Sequence, residues 1–263
     1  MYKIKNYFDN DDVKLVNQKG PFSVVEYQRD LSVTPFTAQT AYFSNIMNVR
    51  KRQVVCNVQN GITLQAGAMQ WMIGNVNSTT GVKGVGDFLG KAVRGSVTGE
   101  SAIKPEYTGN GMLVLEPTYK HIILLDTREW GNNIVLDDGL FLACESHLQH
   151  KAVARKNMSS ALAGGEGLFN LGIQGAGFLC LESACPEQEL IEITLENDQI
   201  KIDGNMAIAW SGSLNFTVER SGKSLIGSAA SGEGLVNVYR GTGKVLMMPV
   251  AADRFHTFAG SNG

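Results

Sequence analysis

Apolar and polar residues alternate with a period of two in several short segments of this chain. The alternating apolar positions are Val54, Cys56 and Val58; Phe169, Leu171 and Ile173; Ile191, Ile193 and Leu195; and Leu214, Phe216 and Val218. Successive side chains of a strand point to opposite faces of a sheet, so this period predicts strands with one buried and one wetter face. Such strands are typical of antiparallel sheets, and one more is predicted at Phe22–Tyr27.

One arrangement of glycine and apolar residues occurs three times at nearly constant spacing. A Gly-Glu pair begins at positions 99, 165 and 232, and an apolar run that predicts a buried strand follows each pair. A second element, made of a strand, a turn glycine and a strand, recurs upstream of each pair. The apolar runs are Met112–Leu115, Phe178–Leu181 and Val245–Met248, and the upstream elements are Ile62–Met69, Ile134–Phe141 and Ile200–Ala207. Two elements that recur in the same order predict three copies of one β unit.

The repeats define the predicted organisation of the chain. Residues 1–48 form an N-terminal extension, residues 49–250 a single three-repeat β domain, and residues 251–263 a C-terminal tail. The repeats span about 54–117, 134–182 and 200–250. In the first copy Pro105 takes the place of Leu171 and Val238. Because proline lacks the N–H that a ladder requires, that strand is predicted to lie at an edge or a bulge.

A helical period occurs in an insertion of the first copy. Its apolar residues, Val85, Phe88, Leu89, Ala92 and Val93, follow the spacing of one helix face. The pattern predicts a short helix at residues 85–93 that docks on the sheet. An anchor for a membrane or a partner stays open as the alternative.

Composition and charge narrow the classes of function. Hydrophobic residues make up 43 % of the chain and charged residues 18 %, and the 30 glycines indicate many tight turns. The formal net charge of -2 disfavours nucleic acid as a partner. The densest basic run, Arg50 to Arg52, is interpreted as a solvated turn before a strand.

Cysteine usage and the N-terminus bear on the compartment. Cys56, Cys144, Cys180 and Cys185 lack paired CxxC spacing, which favours a reducing compartment. The first twelve residues contain three aspartates and no apolar stretch, unlike a secretory signal. No run approaches the roughly 18 apolar residues that span a bilayer. We therefore expect a cytoplasmic protein.

Three glutamates occupy the same place in the three copies. Glu100, Glu166 and Glu233 each follow the first glycine of the recurring Gly-Glu motif. If the three carboxylates converged on an axis, they would be suited to bind a cation. The simpler interpretation is a glutamate that accepts backbone N–H bonds at the start of a strand, and we favour it.

Histidines and candidate nucleophiles give no specific catalytic signal. His147 and His150, with Glu145 nearby, resemble a metal pair, but alignment of Gly139 with Gly204 places His147 opposite Gly212 at a predicted hairpin tip. We favour a surface loop there. The chain has no Gly-x-Ser-x-Gly elbow and no Cys/His pair at an informative spacing. The sequence thus predicts a protein that is not an enzyme, with no catalytic residues, metal or cofactor.

At the repeated segments the chain resembles the altered inheritance of mitochondria family, member twenty-four, whose bacterial representatives carry no assigned activity. The similarity runs from about Val54 to Val250 and is carried by the segments around Gly61–Met69, Thr98–Pro117, Ile134–Ala143, Gly164–Gly177, Lys201–Ala207 and Ser231–Val250. The resemblance implies a mainly β fold of three pseudo-symmetric antiparallel repeats, similar to the tryptophan RNA-binding attenuator fold and related to double-stranded β-helices. It implies no catalytic residues.

These features favour a scaffold or interaction protein that forms homo-oligomers, because similar β units leave edge strands that invite pairing with another chain. A separate protein partner is also compatible with them. Two alternatives stay open. One is a module that binds a small ligand or RNA, by analogy with the attenuator fold. The other is an unrecognised hydrolase, which would need a concave pocket with titratable residues.

Overall fold

Strands dominate the fold, as the alternating pattern predicts. The structure is a computed structural model that describes residues 2–80, 104–154, 169–220 and 235–250. Its strands are β1 (Val13–Lys19), β2 (Phe22–Tyr27), β3 (Arg52–Asn57), β4 (Ile62–Leu64), β5 (Met69–Thr79), β6 (Glu106–Leu115), β7 (His121–Asp126), β8 (Asn133–Leu136), β9 (Phe141–Glu145), β10 (Gln149–Ala154), β11 (Phe169–Gln174), β12 (Phe178–Ser183), β13 (Ile191–Asp203), β14 (Ala207–Ser211), β15 (Asn215–Arg220) and β16 (Leu235–Met247). They are joined by a helix, α1 (Ala38–Ile46), and by 3-10 turns at Thr127–Trp130 and Glu187–Glu189.

The strands form two antiparallel sheets. In the first sheet neighbouring strands follow the order β1-β2-β3-β6-β4-β9-β12-β7, and β5 also pairs with β6. In the second sheet the order is β10-β11-β8-β14-β16-β13, and β15 also pairs with β16. The end strands β1 and β7 of the first sheet contact each other. This contact curls the first sheet into a barrel-like form.

Buried apolar side chains hold the two sheets together. Phe22, Ile62 and Leu113 belong to a cluster inside the first sheet. Leu179 of that sheet and Ile134 of the second lie in one shared cluster. Burial of such side chains removes apolar surface from water, at roughly 25 cal/mol per Å². The sheets therefore pack as one body through this shared core.

The predicted strand at Phe22–Tyr27 is confirmed as β2. The three apolar runs fall within β6 and β12 and at the end of β16, which is also as predicted. β1 was not predicted. It precedes β2, and β2 pairs with β3, so the first 27 residues contribute two strands to the first sheet. The division into an extension, a three-repeat domain and a tail stays a prediction, and the tail lies outside the described residues.

Three turns and three bulges recur at corresponding points. Gly67, Gly139 and Gly204 have φ of 82°, 75° and 62°, a left-handed conformation that suits glycine, and they separate β4 from β5, β8 from β9 and β13 from β14. In the strand after each turn the register shifts by one residue. The extra residues of these bulges are Gln70, Leu142 and Ile208.

The prediction for the strand near Pro105 is wrong. β6 is an interior strand, because it pairs with β3, β4 and β5. Pro105 lies just before Glu106, where β6 begins, and its carbonyl accepts a hydrogen bond of 2.9 Å from the Leu64 N–H. An interior strand therefore tolerates this proline, since the position uses only the carbonyl that proline retains.

The helix that the structure describes is not the one that the sequence predicts. The predicted helix at residues 85–93 lies outside the described residues. α1 instead lies in the N-terminal segment, where no helical period was recognised. Among the described residues no helix has the length and apolarity that a membrane crossing requires.

Candidate interaction surfaces

The segment around α1 exposes a large apolar surface. Residues 31–49 contain no charged side chain, and none of the residues of α1 is buried. Half of the exposed large apolar side chains in the described ranges lie in this segment. They are Leu31, Val33, Phe36, Tyr42, Phe43, Ile46, Met47 and Val49. Contiguous exposed apolar surface of this kind is typical of an interaction site.

α1 turns its polar side toward the body of the protein. Thr40, Ala41 and Ser44 share one face of α1 and line a cavity of about 520 Å³ between the helix and the loops around Asp30, Lys51 and Tyr119. On the same side the Asn45 amide donates a hydrogen bond of 2.6 Å to the Gln28 carbonyl. Tyr42, Phe43 and Ile46 lie on the opposite, exposed side. The usual polarity of a surface helix is thus reversed here, so a partner would meet the apolar face.

The basic run that follows this segment is already ion-paired. Glu26 accepts from Arg50 at 3.1 Å and from Arg52 at 2.8 Å, and Lys51 lies 3.1 Å from Asp30. Arg52 and Glu26 are both buried, so the predicted solvated turn is wrong for Arg52. The Lys51 ammonium holds the pKa of Asp30 below its usual range through a hydrogen bond. The run therefore does not form a free cationic patch for phosphates.

Several strands of the described chain also have an open edge, and β5 and β13 are two of them. In the described part of the chain β5 pairs only with β6, and β13 pairs only with β16. Exposed side chains along these edges include Gln70 and Met72 on β5 and Lys201 on β13. An edge strand presents unpaired backbone N–H and C=O groups to another strand.

A polar cleft of about 620 Å³ lies where β2, β3, β6 and β12 meet. Its hydrogen-bonding side chains include Gln18, Ser23, Asn57, Gln59, Asn60 and Asn110. Glu145 is the charged residue of its described lining, and its Oε2 accepts a hydrogen bond of 2.8 Å from the Phe178 N–H. Such a lining suits a neutral polar ligand better than a phosphate, which normally requires cationic or helix N-terminal donors.

The two histidines of the candidate metal pair contact different groups. His147 lies in the turn between β9 and β10, as predicted, and its Nε2 is 2.8 Å from the Ala176 carbonyl oxygen. The surface-loop prediction is wrong for His150, which lies in β10, is half-buried and has its Nε2 3.2 Å from the Cys144 Sγ. Across the described residues no group of three His, Cys, Asp or Glu side chains is arranged to hold a metal ion. The repeat-equivalent glutamates Glu100, Glu166 and Glu233 lie outside those residues.

Sequence reasoning missed the contact between Cys144 and His150. The two residues lie on consecutive strands, β9 and β10, and a spacing of six positions does not by itself predict that the turn between the strands brings their side chains together. Burial raises the pKa of the Cys144 thiol well above its usual range. Burial and, to a lesser extent, the nearby Lys104 ammonium together lower the pKa of His150 to about 4. The pair is therefore a neutral thiol and a neutral imidazole at pH 7, and the thiolate needed for nucleophilic attack is not formed.

His150 makes the stability of the protein depend on pH. In the unfolded chain this imidazole binds a proton near pH 6.5, whereas in the folded protein it does so only near pH 4. Between these values the unfolded state holds more protons, so the free energy of unfolding falls as pH is lowered from 6.5 toward 4, by roughly 1.4 kcal/mol per pH unit at most. His150→Gln should flatten this slope in urea titrations at several pH values. An unchanged slope would contradict the assignment.

Comparisons with known proteins agree with this β architecture. A family model described as "Mitochondrial biogenesis AIM24" matches residues 45–250. A Streptococcus pyogenes serotype M6 protein, described as uncharacterized, is 33 % identical over 202 residues, which cover 74 % of this chain and 79 % of that protein. The X-ray crystal structure of a Streptococcus pyogenes protein has a TM-score of 0.59 and 28 % identity, covering 80 % of this chain and 93 % of the other. The family resemblance is thereby confirmed, and the chain belongs to the AIM24 family.

Proposed function

We propose that this chain is a non-enzymatic scaffold protein of the cytoplasm that self-associates through the apolar face of α1. The observation that carries the proposal is the reversed polarity of α1, with Tyr42, Phe43 and Ile46 exposed while Ser44 and Asn45 are half-buried on the opposite side. Each Å² of apolar surface left in water costs roughly 25 cal/mol, so a partner that covers these side chains is favoured. The proposed partner is a second copy of the chain.

Charge supports a second copy as the partner. Residues 31–49 carry no charged side chain, so two copies can bring this surface together about a twofold axis without repulsion between like charges. A lipid surface is usually engaged by helices that also present free lysine or arginine to the headgroups. Here Arg50, Lys51 and Arg52 each pair with an acidic residue of the same chain.

We also propose that the chain is built from three copies of one β unit. The recurring turns at Gly67, Gly139 and Gly204, each followed by a one-residue bulge, support this architecture. So do three pairs of consecutive strands that pair with each other, β5 with β6, β10 with β11 and β15 with β16. The chain between the strands of each pair contains one Gly-Glu motif of the sequence repeat.

We also propose that the protein has no catalytic activity. The Cys144 thiol and the His150 imidazole are held neutral by burial, which supports a structural role for both. The four cysteines are free and buried, which supports a reducing compartment.

The proposal is tested by placing charge on α1. Phe43→Glu and Ile46→Glu should raise the dissociation constant of the dimer at least about tenfold, because each buries a carboxylate in an apolar contact. The measurement is molar mass by light scattering across a dilution series of the full chain. Both side chains are exposed in one copy, so circular dichroism should show an unchanged fold.

The matched control is Leu15→Glu, which changes an exposed apolar residue of β1 outside the α1 surface. It should leave the dissociation constant unchanged. A wild-type chain that stays monomeric at all concentrations contradicts the proposal. A monomer that binds phosphatidylcholine vesicles through the α1 residues also contradicts it, and would assign the surface to lipid.

A further inference from the structure

Two pairings of the same kind join successive units of the chain. The strand before a turn glycine pairs antiparallel with the strand after the next turn glycine, so β4 pairs with β9 and β8 pairs with β14. The opposed residues are Ile62 and Glu145, Thr63 and Cys144, Leu64 and Ala143, and then Ile134 and Ser211, Val135 and Trp210, Leu136 and Ala209. The two pairings use the same register, because Ile62 and Ile134 both lie five residues before the turn glycine of their unit, at Gly67 and Gly139.

The residues of β13 and β5 that correspond to these paired residues can be identified from the pairings that the strands make on their other side. Ile62, Ile134 and Ile200 are opposite Tyr107, Ile173 and Tyr239. After the bulges Trp71, Ala143 and Ala209 are opposite Val114, Cys180 and Leu246. The segment Ile200–Ile202 of β13 therefore corresponds to β4 and β8. Likewise the segment Trp71–Ile73 of β5 corresponds to the paired parts of β9 and β14.

These two segments are the ones left without the equivalent partner in the described chain, since β13 pairs only with β16 and β5 only with β6. We propose that β13 of one copy pairs antiparallel with β5 of a second copy and so repeats the pairing of β4 with β9. In the register that the chain uses twice, Ile202 lies opposite Trp71, Lys201 opposite Met72, and Ile200 opposite Ile73. This inference rests on the proposed self-association and adds a second contact to it.

Side-chain exposure agrees with this register. Lys201 and Met72 are both exposed, and Met72 keeps 42 % of its surface accessible. Their neighbours Ile200, Trp71 and Ile73 are half-buried, and Ile202 is buried. Opposed residues of an antiparallel pair lie on one face, so the inner and outer faces of the two strands would match. A shift by one residue would place Lys201 against a half-buried side chain.

The contact differs in symmetry from the α1 contact. It joins two different surfaces, so a copy that offers its β13 edge still has a free β5 edge. Copies joined in this way form chains or rings. The twofold α1 contact alone ends at a dimer. The order of the assembly thus distinguishes the two contacts.

Cysteine cross-linking tests the register. Chains with Met72→Cys are mixed with chains carrying Lys201→Cys and are oxidised, both in the Phe43→Glu background that removes the α1 contact. The native cysteines are buried and should not compete. We expect a disulfide-linked heterodimer, identified by mass spectrometry, because directly opposed strand residues have Cβ atoms roughly 4.5–5.5 Å apart. Leu15→Cys in place of Met72→Cys is the matched control.

The inference is overturned if Leu15→Cys chains cross-link with Lys201→Cys chains as efficiently as Met72→Cys chains do. It is also overturned if a single chain that carries both Met72→Cys and Lys201→Cys forms the disulfide within itself. If α1 variants abolish association while no edge cross-link forms in the wild-type background, the proposed function stands and this inference fails. If the edge cross-link forms but Phe43→Glu leaves the mass unchanged, the α1 contact fails and the edge contact stands.

A charge exchange gives an independent readout. Met72→Lys places a second cation opposite Lys201 and should lower the assembly order in light scattering, and Lys201→Glu in the same chain should restore it, since opposed like charges disfavour strand pairing and opposite charges favour it. No loss with Met72→Lys, or a loss that Lys201→Glu does not reverse, would overturn the inference.

Discussion

Replacing Glu26 with alanine is expected to destabilise the protein by about 3–5 kcal/mol. Glu26 is 7 % exposed and accepts from Arg50 at 3.1 Å and from Arg52 at 2.8 Å. The Arg52 guanidinium is itself buried, so removal of the carboxylate leaves a cation without its counter-charge in a region of low polarity. The measurement is the free energy of unfolding from urea titrations followed by circular dichroism.

Glu182→Ala is the matched control, because it removes the carboxylate of an ion pair whose lysine is open to solvent. Lys120 and Glu182 lie 2.9 Å apart, and the lysine side chain is 55 % exposed. An exposed pair contributes at most about 1 kcal/mol, so the midpoint of unfolding should move little. Similar losses for Glu26→Ala and Glu182→Ala would show that the buried cluster carries no special stabilisation.

The second large effect is expected at Tyr239. This side chain is among the largest fully buried ones, and its ring lies 5.2 Å from Trp210 and 5.1 Å from Phe216 between ring centroids. Tyr239→Ala removes a buried ring and leaves a cavity in the core of the second sheet. We expect a loss of about 3–5 kcal/mol in the free energy of unfolding.

Two further variants give reference values for this loss in the free energy of unfolding. Tyr239→Phe keeps the ring and should lose no more than about 1.5 kcal/mol, the size of one hydrogen bond. Tyr119→Ala removes an exposed ring and should change stability by about 0.5 kcal/mol or less. A loss for Tyr239→Ala as small as that for Tyr119→Ala would contradict the packing of this cluster.

The strands were predictable because their signals are local. Phe22–Tyr27 is a mainly apolar segment of 6 residues, a length that suits a strand, and it forms β2. Gly67 and Gly139 mark turns because their backbone conformation suits glycine, and this local requirement is visible in the sequence. The edge assignment at Pro105 was wrong because the rule concerns the missing N–H, whereas the structure uses the carbonyl of that residue.

The proposed interaction surface was not predictable from the usual patterns. A helix is normally recognised by an apolar stripe that faces the core. Tyr42, Phe43 and Ile46 form a stripe of that kind, but it faces outward. The contact between Cys144 and His150 was missed for a different reason, since residues six positions apart meet only when a particular turn joins them. The absence of any charge from residues 31–49 was the available signal for the α1 surface.

The pairing of β2 with β3 has a consequence for where this protein can be divided. The family match begins at residue 45, within the last turn of α1 and after β2. Val25 of β2 packs in one cluster with Val55 of β3 and Val114 of β6, and Tyr7 and Val13 complete it. A fragment that starts at the family match would therefore lack Val25 and would expose Val55 and Val114 together with the backbone edge of β3 that β2 covers. The first 27 residues thus cover an apolar flank and an open strand edge of the segment that the family model matches, and we expect the shorter fragment to aggregate.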